Sequence, residues 1–166
     1  DNKRYHTLAY HNKAIFGKKI FKAVIDAGFS CPNKDGTKGT GGCIFCDSGS
    51  GYFTASPETS VKKQFEDELR RIHLKNPDAD AIAYFQANTN TYADVETLKK
   101  IYLPLVGHQN LAGISMGTRA DCLQNDILDF LQELSEKTYL TVELGMQTIH
   151  NKTLELINRG YDHQEF

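Results

Sequence analysis

The stretch "LAGISMGTR" (residues 111–119) carries the clearest fold signal in the chain. Ala112, Ile114 and Met116 alternate with Gly113, Ser115, Gly117 and Arg119. Successive side chains of a strand point to opposite faces, so one face here is apolar and the other turns polar toward its C-terminal end. Upstream, "DAIAYFQA" (80–87) repeats the pattern, with Ala83 and Phe85 opposing Tyr84, Gln86 and, just beyond, Asn88. Downstream, "YLTVELGMQT" (139–148) sets Val142, Leu144 and Met146 against Thr141, Glu143, Gly145 and Gln147. A fourth segment, "KAVIDAGF" (22–29), reads as a short buried strand.

Helical patterns separate these strands. In "SPETSVKKQFEDELRRIHLKN" (56–76), Val61, Phe65, Leu69 and Ile72 fall at helical spacing, with Ser56 as the expected cap and Pro57 at the first helical position. A second helix is expected over residues 94–106. A third is capped by Asn125 and carries Ile127, Leu128, Leu131 and Leu134, and a fourth begins in "NKTLELINRGY" (151–161). This alternation predicts an α/β fold with a parallel sheet of right-handed βα units. Four units fall short of a closed barrel, so the expected architecture is an incomplete, partial TIM-type barrel. Its fourth strand is then an apolar edge, a liability for aggregation.

Glu143 and Arg119 belong to the polar face. An unpartnered buried charge is costly, and a closed barrel normally fills its interior with branched apolar side chains. The two residues therefore read either as an internal ion pair or as part of a ligand site. Ligand sites of parallel α/β folds lie at the C-terminal ends of the strands, where these polar groups converge.

The first strand runs directly into "CPNKDGTKGTGGCIFC" (31–46), which holds three of the four cysteines. Cys43 and Cys46 form a CxxC pair, and Cys31 precedes it at a distance that matches no common zinc motif. His11, Asp47 or Cys122 could complete a zinc site only through the fold. Three thiolates instead suit an iron–sulfur cluster with one iron left open. The glycines let the backbone curl around such a core, and the absence of GxxxxGK[ST] argues against a P-loop.

Composition sets outer bounds. The chain has 166 residues, 40% hydrophobic and 24% charged, ordinary values for one globular domain. No apolar run approaches the roughly 18 residues that span a bilayer, so no membrane association is expected. Four cysteines, three of them clustered, are too few for a disulfide scaffold and point to metal or redox chemistry in a reducing, cytoplasmic setting. Residues 1–40 carry eight basic and three acidic residues, net +5, and the remaining 126 carry 11 basic and 18 acidic, net −7. Cations interleaved with Tyr5, His6, Tyr10, His11 and Phe16 suit a nucleic acid, though a solvated basic arm has the same composition. The expected division is a basic arm over 1–20 and a partial core over 21–166.

From about residue 20 onward the sequence resembles the radical S-adenosylmethionine (SAM) enzymes. The resemblance rests on "CPNKDGTKGTGGCIFC", "AYFQANTNTY", "GISMGTRADCL" and "VELGMQTIHNKTLELINRGY" in this order. The long gap before the CxxC is similar to a bacterial branch related to the catalytic subunit of the elongator complex; most members have CxxxCxxC. Cores of this family usually contain six βα units, so two are not represented here.

The resemblance implies that Cys31, Cys43 and Cys46 ligate three irons of a [4Fe–4S] cluster whose fourth iron takes the amino and carboxylate groups of SAM. It places Phe45 beside the adenine, and Gln86, Asn88 and Thr89 near the SAM amino group. Ser115, Thr118 and Arg119 fall near the methionine carboxylate and ribose, and Glu143 and Gln147 near the ribose or substrate. It implies reductive cleavage of SAM to a 5′-deoxyadenosyl radical, an electron donor as partner, and tRNA as substrate. No side-chain acid or base is required for the first step. Two other readings remain: a non-catalytic zinc- or cluster-binding module that contacts nucleic acid or protein, and an inactive piece of an enzyme that folds without keeping its cluster.

Overall fold

Four parallel strands in the order β1-β2-β3-β4 form the sheet, with β1 at Ile20–Ile25, β2 at Asp80–Phe85, β3 at Leu111–Thr118 and β4 at Leu140–Leu144. The computed structural model describes residues 3–46 and 56–166. Asp47 therefore lies outside the described residues. Helices follow the strands as expected: α2 (Val61–His73), α3 (Val95–Tyr102), α4 (Asn125–Ser135) and α5 (Asn151–Leu156). The fold is α/β with an all-parallel sheet, as a partial barrel requires.

The helices cover one face. Phe65 and Leu69 of α2, Leu98 and Tyr102 of α3, and Phe130 and Leu134 of α4 pack on Ala23, Ile25, Ala83, Phe85, Ile114 and Met116. Phe85 and Tyr102 meet edge to face, with centroids 4.9 Å apart. The Tyr102 hydroxyl donates to the carbonyl of Asn90 at 2.6 Å, so its burial leaves no unsatisfied donor.

On the opposite face, Lys22, Tyr84, Ser115 and Glu143 form a polar row. Lys22 Nζ sits 3.6 Å from the Tyr84 ring centroid. The Tyr84 hydroxyl and Ser115 Oγ donate to the two Glu143 carboxylate oxygens at 3.0 and 3.2 Å. Burial, then Glu143, pushes the Tyr84 phenol up to about 12.

Four local expectations need correction. The basic arm contains a helix, α1 (Leu8–Phe16), capped by Thr7 and closed by Gly17 in a left-handed conformation. Its His11 lies 3.2 Å from the Tyr139 hydroxyl, where the chain enters β4. Ser60, not Ser56, caps α2, because its hydroxyl accepts from the backbone N–H of Lys63. Gln124 occupies the cap position of α4, with Asn125 already helical. β4 stops at Leu144, so strand alternation does not reach Met146 or Gln147; Gln147 has a φ of 71°.

Candidate active site

The C-terminal ends of β2, β3 and β4 open into a cleft of about 670 Å³, and the cysteine loop forms its other wall. Cys31, Cys43 and Cys46 line it together with Phe45, Gln86, Asn88, Thr89, Thr118, Arg119, Glu143 and Gln147. Ser115 lies outside the lining and reaches it only through its bond to Glu143. Asn88, with a φ of 58°, turns the chain after β2, and its Oδ1 accepts from Lys34 Nζ at 2.9 Å.

Local hydrogen bonds shape the cysteine loop. The backbone N–H of Lys34 and Asp35 both donate to the carbonyl of Cys31, and that of Cys46 donates to Cys43 at 2.9 Å. Gly42 has a φ of 75°, and a Cβ there would lie 3.1 Å from Lys34 side-chain carbons and 3.7 Å from the Cys46 Cβ. The last segment of the chain holds the loop from outside. Ile44 N–H donates to the Ile157 carbonyl at 3.0 Å, and Asn158 Nδ2 donates to the carbonyls of Gly42 and Thr40.

The residues fit a cysteine-anchored cluster. All three thiols face one cleft. Asn33 Nδ2 and an Arg159 guanidinium nitrogen each approach Cys43 Sγ at 3.6 Å, an arrangement suited to a thiolate. Among the described residues, no three His, Cys, Asp or Glu side chains gather around a point where one metal ion would sit.

Arg119 and Glu143 do not pair with each other. Arg119 Nε and one terminal nitrogen grip Asp121 at 2.8 Å each, and the other donates to the Arg159 carbonyl at 3.0 Å. Burial opposes both charges. The hydrogen bonds and charges of the pair, with Lys38 adding to Asp121, outweigh it and keep both groups ionised. Thr118 is also bonded internally, to Thr91 at 2.6 Å. Cys122 stands in a separate cavity behind the loop, where burial and then Asp121 push its thiol up to about 12.

Sequence reasoning passed over Lys34, Gly117, Gly145 and Arg159, which also line the cleft. Arg159 lies 116 residues from Cys43, beyond the reach of any periodicity. Its only sequence signal is its place in the "INRGY" end of a segment that carries the resemblance.

The structure is thus an α/β protein with a cysteine-lined cleft at the carboxyl ends of a parallel sheet. The chain matches the Radical SAM superfamily over residues 35–166 and belongs to that family. It is 50% identical over 161 residues to the uncharacterized protein YtqA of Bacillus subtilis, covering 96% of this chain and 50% of YtqA. It is 42% identical over 148 residues to protein YhcC of Escherichia coli K12, covering 89% of this chain and 47% of YhcC. The chain thus spans about half the length of the curated relatives it matches. No helix among the described residues is long and apolar enough to cross a membrane.

Proposed function

We propose that this chain is the cofactor-binding part of a radical SAM enzyme that modifies tRNA. The observation that carries the reading is the shared cleft, where three cysteines of one loop face the polar ends of three parallel strands. Cys31, Cys43 and Cys46 would hold three irons of a [4Fe–4S] cluster, leaving one iron for SAM. The chemistry the cluster supplies when bound is one-electron cleavage of SAM to methionine and a 5′-deoxyadenosyl radical, with the electron drawn from an external donor.

The residues of the chain bind, orient and enclose. Phe45, half-exposed at the mouth, offers a ring for the adenine. Gln86, Asn88 and Thr89 supply polar groups at the end of β2 for the SAM amino group. Glu143, fixed by Tyr84 and Ser115, presents a carboxylate suited to ribose hydroxyls, with Gln147 beside it on the same wall. Thr118 and Arg119 shape the floor from internally bonded positions, so their contribution to SAM is by position more than by free charge.

The tRNA assignment rests on the elongator-like spacing of the cysteines and on the basic, aromatic N-terminal segment. There Tyr5 and Tyr10 are exposed beside Lys3, Arg4 and Lys13. Anaerobic reconstitution with iron and sulfide, followed by metal and sulfide analysis, tests the core of the proposal. About four irons with matching sulfide per chain support it. One tightly bound zinc without sulfide supports the binding-module reading instead.

A further inference from the structure

Arg159 is a buried cation without an acidic partner among the described residues. Its residue is 6% exposed, and no carboxylate lies within ion-pair distance of it among the described residues. One terminal nitrogen approaches Cys43 Sγ at 3.6 Å, and the other donates to the Gly145 carbonyl at 2.7 Å and bonds the Tyr161 hydroxyl at 2.6 Å. Its Nε is buried with no hydrogen-bond partner. Arg119 makes the contrast. Both guanidinium groups lie against the Tyr161 ring, at 4.7 and 4.5 Å from its centroid, yet Arg119 is neutralised by Asp121 and Arg159 by no carboxylate among the described residues.

Burying an uncompensated charge is costly unless the site later receives an opposite one. The atom that would carry that charge is Cys43 Sγ, which becomes a thiolate when it binds iron. Asn33 Nδ2 approaches the same sulfur from the other side at 3.6 Å. Hydrogen bonds to cluster sulfurs and nearby positive charge stabilise the reduced, more negative state and so raise its reduction potential.

We infer that Arg159, with Asn33, is a positioning residue that raises the reduction potential of the cluster through Cys43 Sγ. The inference rests on the [4Fe–4S] reading of the three cysteines. It gives Arg159 an electrostatic role at the cluster itself, separate from any contact with SAM.

The test is an EPR-monitored redox titration of the reconstituted chain without SAM. It compares wild type with Arg159→Met, Arg159→Lys and Tyr161→Phe, with circular dichroism to confirm the fold of each. Arg159→Met should shift the midpoint negative by at least a tenfold change in the one-electron equilibrium, about 59 mV. Arg159→Lys keeps the charge and loses the forked geometry, so its shift should be negative and smaller. Tyr161→Phe removes a hydroxyl from the same cluster of side chains and should leave the midpoint in place. If Arg159→Met cannot hold a cluster, Arg159→Lys decides, and a midpoint equal to wild type overturns the inference. Equal shifts in Arg159→Met and Tyr161→Phe also overturn it, because the effect would then be packing. An unmoved midpoint in Arg159→Met overturns it too, and if parallel samples with SAM added show that the variant has lost the spectral response of wild type, Arg159 belongs to SAM instead. A wild-type chain that assembles no cluster fails earlier, and that result refutes the proposed function on which the inference stands.

Discussion

Asn33 Nδ2 donates to the carbonyl of Asn158 at 2.5 Å, joining the cysteine loop to the turn after α5 across 125 residues. Asn158 answers with two bonds of its own, to the carbonyls of Gly42 and Thr40 at 2.7 and 3.2 Å. The loop is therefore held from outside, by residues far away in sequence, as well as by its own hydrogen bonds.

Asn158 has a φ of 53°, which an asparagine tolerates and an alanine resists. Asn158→Ala loses two hydrogen bonds and gains backbone strain, for a destabilisation of about 2–4 kcal/mol. Asn158→Gly accepts the positive φ and should cost roughly half as much. Chemical denaturation gives the magnitudes, and amide exchange should accelerate around residues 40–44. Unchanged exchange there would mean that the loop holds its own shape.

Asp121 and Arg119 are both buried, with side chains 1% and 3% exposed. Removing one partner of such a pair leaves the other charge stranded, so Asp121→Asn should cost about 3–5 kcal/mol. Because Arg119 and Lys38 hold the Asp121 carboxyl below the usual range, its contribution to stability is complete above the ordinary carboxylate value. It fades as pH falls through the lowered native value. The stability gap between wild type and variant, followed by denaturation at stepped pH, should narrow only in acid. A gap independent of pH would show that ionised Asp121 is not what holds this corner.

Two glycines separate packing from binding. Gly160 has a φ of 78°, and a Cβ there would lie 2.5 Å from Asn33 Oδ1. Gly160→Ala should therefore lower the melting temperature and disturb the cysteine loop. At Gly117 a Cβ would meet only ordinary contacts at 3.7 Å, yet the residue lines the cleft. Gly117→Ala should melt as wild type does and bind SAM more weakly. Equal SAM affinity in Gly117→Ala would move the SAM site away from the β3 wall.

How much of this was legible in sequence differs between elements. The strands were legible because alternation marks the core at Ala83, Phe85, Ile114 and Met116. It fails at Ala112, where the β2–β3 register shifts and Leu111 packs on the core instead. Helix α1 escaped because its apolar residues form no buried stripe: Leu8, Tyr10 and Ile15 are all substantially exposed, and only its caps mark it. The cysteines announced themselves by spacing. Arg159 could not, since its meaning depends on a sulfur brought to it by the fold. The Arg119–Asp121 pair lay two residues apart in plain view, and Glu143 drew attention from it only because both sit at the C-terminal ends of strands.

Glu143 accepts from Tyr84 and Ser115 but remains largely exposed at the cleft, with 44% of its side chain accessible. Glu143→Gln should leave the melting temperature nearly unchanged and weaken SAM binding by about tenfold or more, the scale of one charge-assisted hydrogen bond. It should also bring the Tyr84 phenol down from about 12, since the carboxylate charge no longer adds to burial. Calorimetry and ultraviolet difference titration read the two effects. A SAM affinity equal to wild type would remove Glu143 from the ribose site.

The central claim is that Cys31, Cys43 and Cys46 leave one iron of a [4Fe–4S] cluster open for SAM. The most direct measurement is EPR of the anaerobically reconstituted, dithionite-reduced chain with and without SAM. The account predicts a [4Fe–4S]⁺ signal whose g-values change when SAM is added, and its loss on Cys31→Ser, Cys43→Ser or Cys46→Ser. A cluster signal indifferent to SAM, or one that survives loss of any of these cysteines, would contradict it.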